Sequence, residues 1–307
     1  MNKTALLFAG QGAQFVGMGR DLAEQFPEAR ALFERANEAL GYDLARICFE
    51  GPEPVLTRTE NAQPAIFLAG IAAFELLKAR LPGLEFSAAA GLSLGEFTAL
   101  TAAGILSFEE GLRVVRERGR FMQEACEATG GGMAAIIGLD EAATREICEA
   151  CGVQLANLNC PGQIVISGGT EPLARACEKA KEKGAKRALP LTVAGAYHSP
   201  LMAGAQPRLE QVLAGITLSP SQLTVVSNVT GRPHGGDIRE KLVEQVTSPV
   251  RWEDSMRWLL GEGFTRFIEL GPGTALSGFM RRIERGAEMH NVADLESLAK
   301  TVDALSK

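Results

Sequence analysis

Gly91-Leu92-Ser93-Leu94-Gly95 sets a serine between two glycines, after a short run of mostly small residues (Phe86 to Ala90) and before a helical pattern (Glu96 to Ala103). No other five residues restrict the fold as much. A strand that runs straight into a helix packed on it must turn sharply, and the turn residue then has a strained backbone with its side chain held clear of the sheet. The flanking glycines give strand and helix room to approach. The turn also holds the serine hydroxyl at a helix N-terminus, where partial positive charge and the N–H of Leu94 favour an oxyanion. Ser93 is therefore a candidate nucleophile, with a tight turn of no chemical role as the alternative.

Around this turn strand and helix patterns alternate: a strand Thr4 to Ala9, helices around Asp21 to Leu40 and Gln63 to Leu81, the strand before Ser93, then helices through Phe121. Such alternation predicts an α/β fold with a mostly parallel sheet covered by helices. The texture changes at Gly130-Gly131-Gly132. From there the order is strand (Met133 to Gly138), helix (Ala142 to Cys151), strands Val153 to Asn157 and Gln163 to Ser167, helix (Pro172 to Lys183) and strand (Ala188 to Val193). That βαββαβ order is the ferredoxin-like pattern. Residues 127–196 are thus expected to form a small domain inserted into a large one made of 1–126 and 197–307. The large domain resumes with a helix from Pro200, a strand Leu223 to Val229 and a strand Arg266 to Leu270 that ends in Gly271-Pro272-Gly273. Glycine-rich strand ends are where α/β sheets gather ligands.

A nucleophilic serine needs a general base, and histidine is the usual supplier. The chain has three. His290 falls in what reads as a polar C-terminal tail, and His234 in a Pro-His-Gly-Gly turn. His198 follows a predicted strand and precedes a helix whose cap and first position would be Ser199 and Pro200, so it is the candidate base. A helix-start histidine without a catalytic task is the alternative. On the helix Glu109 to Ala125, spacing at about 100° per residue gathers Leu112, Val114, Val115, Phe121 and Met122 on one side, with Arg118 in their midst. A guanidinium there needs a carboxylate or several acceptors. Either the protein supplies the carboxylate, or a substrate brings it to the planar fork. Phe8-Ala9-Gly10-Gln11-Gly12 follows the first strand and is a candidate for a second oxyanion donor, a plain turn being the alternative. It lacks the third glycine of a dinucleotide fingerprint, so no nicotinamide cofactor is expected.

Composition excludes several other classes. The net charge of −6 leaves no cationic excess for nucleic acid. No run reaches the roughly 18 continuous apolar residues of a membrane span, and Thr4 to Gly10 reads as a buried strand better than as a secretion signal. A cytoplasmic protein is expected. The six cysteines read as small buried hydrophobes; Cys148 and Cys151 form a lone CxxC with no second pair and no nearby histidine, so no metal site is expected.

The chain resembles the malonyl-CoA:acyl carrier protein transacylases along almost its whole length. The likeness lies in Phe8-Ala9-Gly10-Gln11-Gly12, Asn61-Ala62-Gln63-Pro64-Ala65, Gly91-Leu92-Ser93-Leu94-Gly95-Glu96, Arg118-Gly119 with Met122-Gln123, and Asn159 with Pro161-Gly162-Gln163. It continues in Tyr197-His198-Ser199, Gln245 before Ser248-Pro249-Val250, and Glu269-Leu270-Gly271-Pro272-Gly273. The resemblance implies a hydrolase-like α/β domain with a ferredoxin-like insert. It implies malonyl-CoA as substrate, an acyl carrier protein as partner, a monomer, and no cofactor. Residue by residue it implies Ser93 as nucleophile, His198 as base, and a carbonyl of Gln245 to orient His198. It further implies backbone N–H donors at Gln11 and Leu94, Arg118 as clamp for the malonyl carboxylate, and Gln63 and Asn159 lining the pocket. Leu92 and Tyr197 depart from the commoner histidine and the commoner phenylalanine or serine. Two basic runs, Lys179, Lys181, Lys183, Lys186, Arg187 and Arg281, Arg282, Arg285, are candidates for carrier docking, with a solvated helix face as the alternative.

Three rivals remain. A serine esterase or thioesterase of the α/β-hydrolase type wants an acid between serine and histidine; the only Asp there is Asp140, and Arg118 would have no task. A polyketide-type acyltransferase would take another extender unit. A non-catalytic carrier-binding scaffold would have no use for Ser93, His198 and Arg118.

Overall fold

Ala5 to Phe8 are all buried, and an uninterrupted apolar run suits a strand covered on both faces. The computed structural model describes residues 3–306. Its strands are β1 (Lys3–Phe8), β2 (Ala88–Gly91), β3 (Gly132–Ile137), β4 (Gln154–Cys160), β5 (Gln163–Gly168), β6 (Arg187–Pro190), β7 (Thr224–Val225), β8 (Phe264–Leu270) and β9 (Glu288–Val292). They form two sheets in two compact units. One unit contains residues up to Gly119, Ile216–Val226 and everything from Leu259 onward; the other contains Arg120–Gly215 and Ser227–Trp258.

The first unit holds a five-stranded sheet in the order β7-β2-β1-β8-β9, parallel at every pairing. Phe8 is the register partner of both Gly91 and Leu270. The three central strands therefore end level, and the loops after them leave the same carboxyl edge side by side. The helix Thr59–Arg80 packs close to these strand ends: a methyl on its Gly70 would touch Thr98 and Phe8. Among the described residues it is the one helix long and apolar enough to cross a membrane by length and composition, and 83% of that stretch is buried within the protein.

The second unit holds a four-stranded sheet in the order β4-β5-β3-β6, antiparallel at each pairing. With helices Glu141–Cys151 and Thr170–Glu182 between β3 and β4 and between β5 and β6, this is the ferredoxin-like arrangement. Ile136, Ile147, Leu155, Ile164, Ile166 and Ala176 fill the core between helices and sheet. The compact unit extends beyond 127–196, since it also takes in 120–126, 197–215 and 227–258.

Several elements differ from the sequence-based expectation. β4 runs on to Cys160, because Cys160 pairs with Gln163 and only Pro161 and Gly162 make the turn, so Asn159 sits on a strand. The strand expected over Leu223 to Val229 shrinks to β7: Ser227 N donates to Arg232 O and Gly231 N to Ser227 O, which folds the chain away from the ladder. After Pro200 comes a 3-10 turn, Pro200–Ala205, and the α-helix starts only at Gln206–Ala214, where Pro207 stands in the first turn and has no N–H to continue an earlier helix. His290 lies on β9, with Nε2 2.8 Å from Glu288 Oε1, instead of in a polar tail. All six cysteines are free and buried, and burial pushes the Cys48 and Cys148 thiols up to about 12.

Candidate active site

At the carboxyl edge of the parallel sheet, Ser93 caps the helix Leu94–Ala102 with φ 52° and ψ −105°. Left-handed φ at a residue with a Cβ costs on the order of 1–3 kcal/mol and persists only where the surroundings enforce it. The enforcement comes from the glycines. A Cβ on Gly91 would lie 1.9 Å from the Gly95 carbonyl, and one on Gly95 would lie 2.3 Å from Phe8 O. Strand and helix thus approach closer than any side chain permits. Leu92, half-buried, anchors the turn to the neighbouring loop: its N–H donates to Phe8 O at 3.1 Å, and a Cβ on Gly10 would lie 2.5 Å from Leu92 O. The loop that carries Gln11 is pressed against the loop that carries Ser93.

Arg118 is 1% exposed, as its place on the apolar side of the helix Phe108–Thr129 requires. Gly119 lets this helix close on the start of Thr59–Arg80, since a Cβ there would meet Thr59 O at 2.5 Å. The guanidinium Nη1 then donates to Gln63 Oε1 at 2.8 Å and Nη2 to Ser93 Oγ at 3.1 Å, with the Phe97 ring 5.3 Å from its centre. Arginine only donates, so its bond fixes which end of the Gln63 amide is oxygen. The amide nitrogen of Gln63 is left to donate to Gln11 Oε1 at 3.4 Å, and that of Gln11 to Thr59 Oγ1 at 3.5 Å. One polar chain, Thr59, Gln11, Gln63, Arg118, ends on the serine. Thr59 is a member that sequence reasoning missed; it stands four residues before Gln63, one helical turn away.

At the same sheet edge Glu269, 1% exposed, accepts from Leu276 N at 3.0 Å, Ser277 N at 2.7 Å and Ser277 Oγ at 2.6 Å. Burial raises its pKa above the ordinary carboxylate value, against the pull of those donors. Its bonds pin the start of the helix Ala275–Ile283, and so the Gly271-Pro272-Gly273 loop.

In the second unit His198 is 3% exposed and has φ 57°. Among the described residues it and Ser93 are the two with a Cβ at positive φ. Its Nδ1 lies 2.9 Å from Gln245 O and 3.1 Å from Ser248 O. Backbone carbonyls only accept, so Nδ1 carries the proton and Nε2 presents a lone pair. Gln245 follows the helix Ile238–Glu244, and Ser248 N donates to Glu244 O at 3.1 Å, so the two carbonyls that receive Nδ1 stand on one continued turn. The role of Ser248 was not legible, although Ser248-Pro249 stood in a noted motif. Val250 holds that segment to β4 through Val250 N to Ala156 O (2.8 Å) and Leu158 N to Val250 O (2.9 Å). Asn159, 5% exposed, is on the same strand. Ser93, Leu94, Gln11, Gln63 and Arg118 thus come together in the first unit, while His198, Gln245 and Asn159 belong to the second. Among the described residues no group of three or more His, Cys, Asp or Glu is placed to hold a metal ion.

A family model for the acyl transferase domain matches residues 5–301. The malonyl CoA-acyl carrier protein transacylase of Bacillus subtilis (strain 168) is 46% identical over an alignment of 314 residues, covering 100% of this chain and 98% of its own length. The chain belongs to the malonyl CoA-acyl carrier protein transacylase family. The crystal structure of the family member from Clostridium perfringens superposes with a TM-score of 0.94 at 41% identity, covering 99% of this chain and 97% of that one. A malonyl-transacylase solved in complex with a type II PKS acyl-carrier protein matches with a TM-score of 0.94 at 38% identity, covering 98% and 99%. Similarity of this extent spans both units, the elbow of the parallel sheet as well as the ferredoxin-like sheet.

Proposed function

We propose that the protein transfers a malonyl group from malonyl-CoA to the phosphopantetheine thiol of an acyl carrier protein by way of a malonyl ester on Ser93. The observation that carries this reading is the buried Arg118, aligned by Gln63, with Nη2 3.1 Å from Ser93 Oγ. A fixed cation beside a nucleophile selects an acyl group with a free carboxylate at its far end. The tautomer of His198 supports its assignment as the base.

In the first half-reaction the Ser93 oxygen attacks the thioester carbonyl while His198 Nε2 takes the serine proton. The N–H groups of Leu94 and Gln11 receive the negative charge that develops on the carbonyl oxygen. The C–S bond breaks, coenzyme A leaves with the proton from His198, and malonyl-serine remains. In the second half the carrier thiol gives its proton to His198, its sulfur attacks the ester, and the C–O bond breaks as Ser93 regains a proton. No electron changes hands, so the cycle calls on no redox cofactor. Gln63 keeps Arg118 in place, and Asn159 contributes a polar side chain to the pocket. Six free, buried cysteines suit a reducing compartment, and a cytoplasmic location belongs to the same proposal.

Intact mass after mixing with malonyl-CoA tests the ester. Wild-type protein should gain one malonyl group and Ser93→Ala none. Acylation of Ser93→Ala would remove the mechanism, and release of free malonate in preference to transfer to carrier thiol would favour a thioesterase.

A further inference from the structure

We infer that Gln206 is a positioning residue for His198: it ties the segment that follows the histidine to the helix end that supplies its carbonyl partners. The inference rests on His198 being the base. From His198 the chain passes through the Ser199 cap, whose Oγ accepts from Leu201 N at 3.3 Å, and the 3-10 turn Pro200–Ala205 to Gln206. Gln206 Nε2 donates to Val243 O at 3.1 Å. Two residues beyond Val243, Gln245 O receives the His198 Nδ1 proton at 2.9 Å. The circuit is closed: histidine, turn, Gln206, helix end, carbonyl, histidine.

Packing alone does not set this spacing. A cavity of about 640 Å³ lies between the helices Gln206–Ala214 and Ile238–Glu244, lined by Gln206, Leu213, Arg239 and Val243 among others. Gln206, bonded to Val243 O, and Arg239, whose Nε donates to Leu213 O at 3.0 Å, both span the cleft. Arg239 stands near the start of its helix, and Gln206 grips the other end, next to His198's acceptors. Val243 O also accepts from Val246 N at 3.3 Å, so Gln206 bonds the same carbonyl that closes the turn containing Gln245. Loss of the donor frees that turn to drift, and the Nδ1 bond with it.

Single-turnover acylation of Ser93 by malonyl-CoA, read by intact mass, tests the role. Gln206→Leu should lower the maximal rate about fivefold, what one half-buried hydrogen bond is worth. The half-saturating malonyl-CoA concentration should not change, and the Nδ1–H proton resonance of His198 should shift or broaden. Gln206→Lys keeps an N–H donor and should restore most of the rate. A wild-type rate in Gln206→Leu overturns the inference. So does an equal loss in both variants that follows a loss of thermal stability, which marks simple packing. His198→Ala separates the layers: if it acylates at the wild-type rate the base assignment fails, whereas a disabled His198→Ala beside an unaffected Gln206→Leu removes Gln206 alone.

Discussion

Replacing Arg118 by alanine should convert a malonyl-selective site into one that handles acetyl-CoA as well as it handles malonyl-CoA. The side chain is 1% exposed and already has two N–H groups committed, to Gln63 Oε1 at 2.8 Å and Ser93 Oγ at 3.1 Å. In the proposed acyl-enzyme the malonyl carboxylate takes up fork donors in a site shielded from water. Two charge-assisted hydrogen bonds at the lower end of their range contribute about 3 kcal/mol, on the order of a hundredfold in kcat/KM. The lower end applies because the carboxylate must shed its own hydration on entry. Acetyl-CoA has no carboxylate to lose. Its kcat/KM should stay within a few-fold of wild type, and the ratio of the two substrates should fall by that hundredfold. The assay is transfer from each CoA ester to carrier protein at subsaturating ester. Gln63, 0% exposed, would lose one charge-assisted hydrogen bond to its Oε1, so the substrate ratio and not the absolute rate decides. An unchanged ratio would refute the clamp.

Other perturbations address the elbow, the buried carboxylate and the partner surface. Gly95→Ala should lose at least about 2 kcal/mol in denaturant unfolding, because its Cβ would sit 2.3 Å from Phe8 O. Gly278→Ala, on a helix with nothing within 4 Å of the new Cβ, should be neutral or stabilising, and equal effects would contradict the close-packing account. The carboxyl of Glu269, raised by burial above 4.5, should titrate above that value in a carbon-13 NMR titration; a midpoint below it would refute the assignment. Since the folded pKa exceeds the unfolded one, the folded state binds the proton more tightly. The stability this contributes is complete below the unfolded value and is lost as pH rises through the folded one. Reversing Lys179, Lys186 and Arg187 to glutamate should slow transfer to carrier protein and leave acylation by malonyl-CoA unchanged; unchanged transfer would mark a solvated surface. These three make no ion pair among the described residues, unlike Lys181 with Glu178 and Lys183 with Glu146.

The elbow at Ser93 and the βαββαβ order were legible because both are local: a glycine-flanked turn and a period of apolar residues carry their geometry within a few positions of chain. The burial of Arg118 was legible for the same reason, through the 3.6-residue period of its helix. What Arg118 touches was not, and the sequence left a protein carboxylate and a substrate carboxylate both open. Helix Phe108–Thr129 comes close enough to Thr59–Arg80 only because Gly119 has no side chain, and that contact presents Gln63 as an acceptor. The extent of β4, the shortness of β7 and the 3-10 turn after Pro200 also escaped prediction, since each depends on a hydrogen-bond partner distant in sequence or on which of two helical ladders a proline interrupts.

By itself the sequence determined that a strained serine would stand between strand and helix, that a cation would be buried, and that His198 would stand just before a capped helical segment. Tertiary structure decided the rest. It ended three parallel strands level, so that Gln11 and Ser93 share an edge, and it set the Gln245 and Ser248 carbonyls on Nδ1 so that Nε2 is the basic nitrogen. The physical reason is one of range. Backbone strain and side-chain periodicity are encoded within a turn or two of chain, whereas the tautomer of a histidine and the partner of an arginine depend on acceptors 47 and 55 residues away.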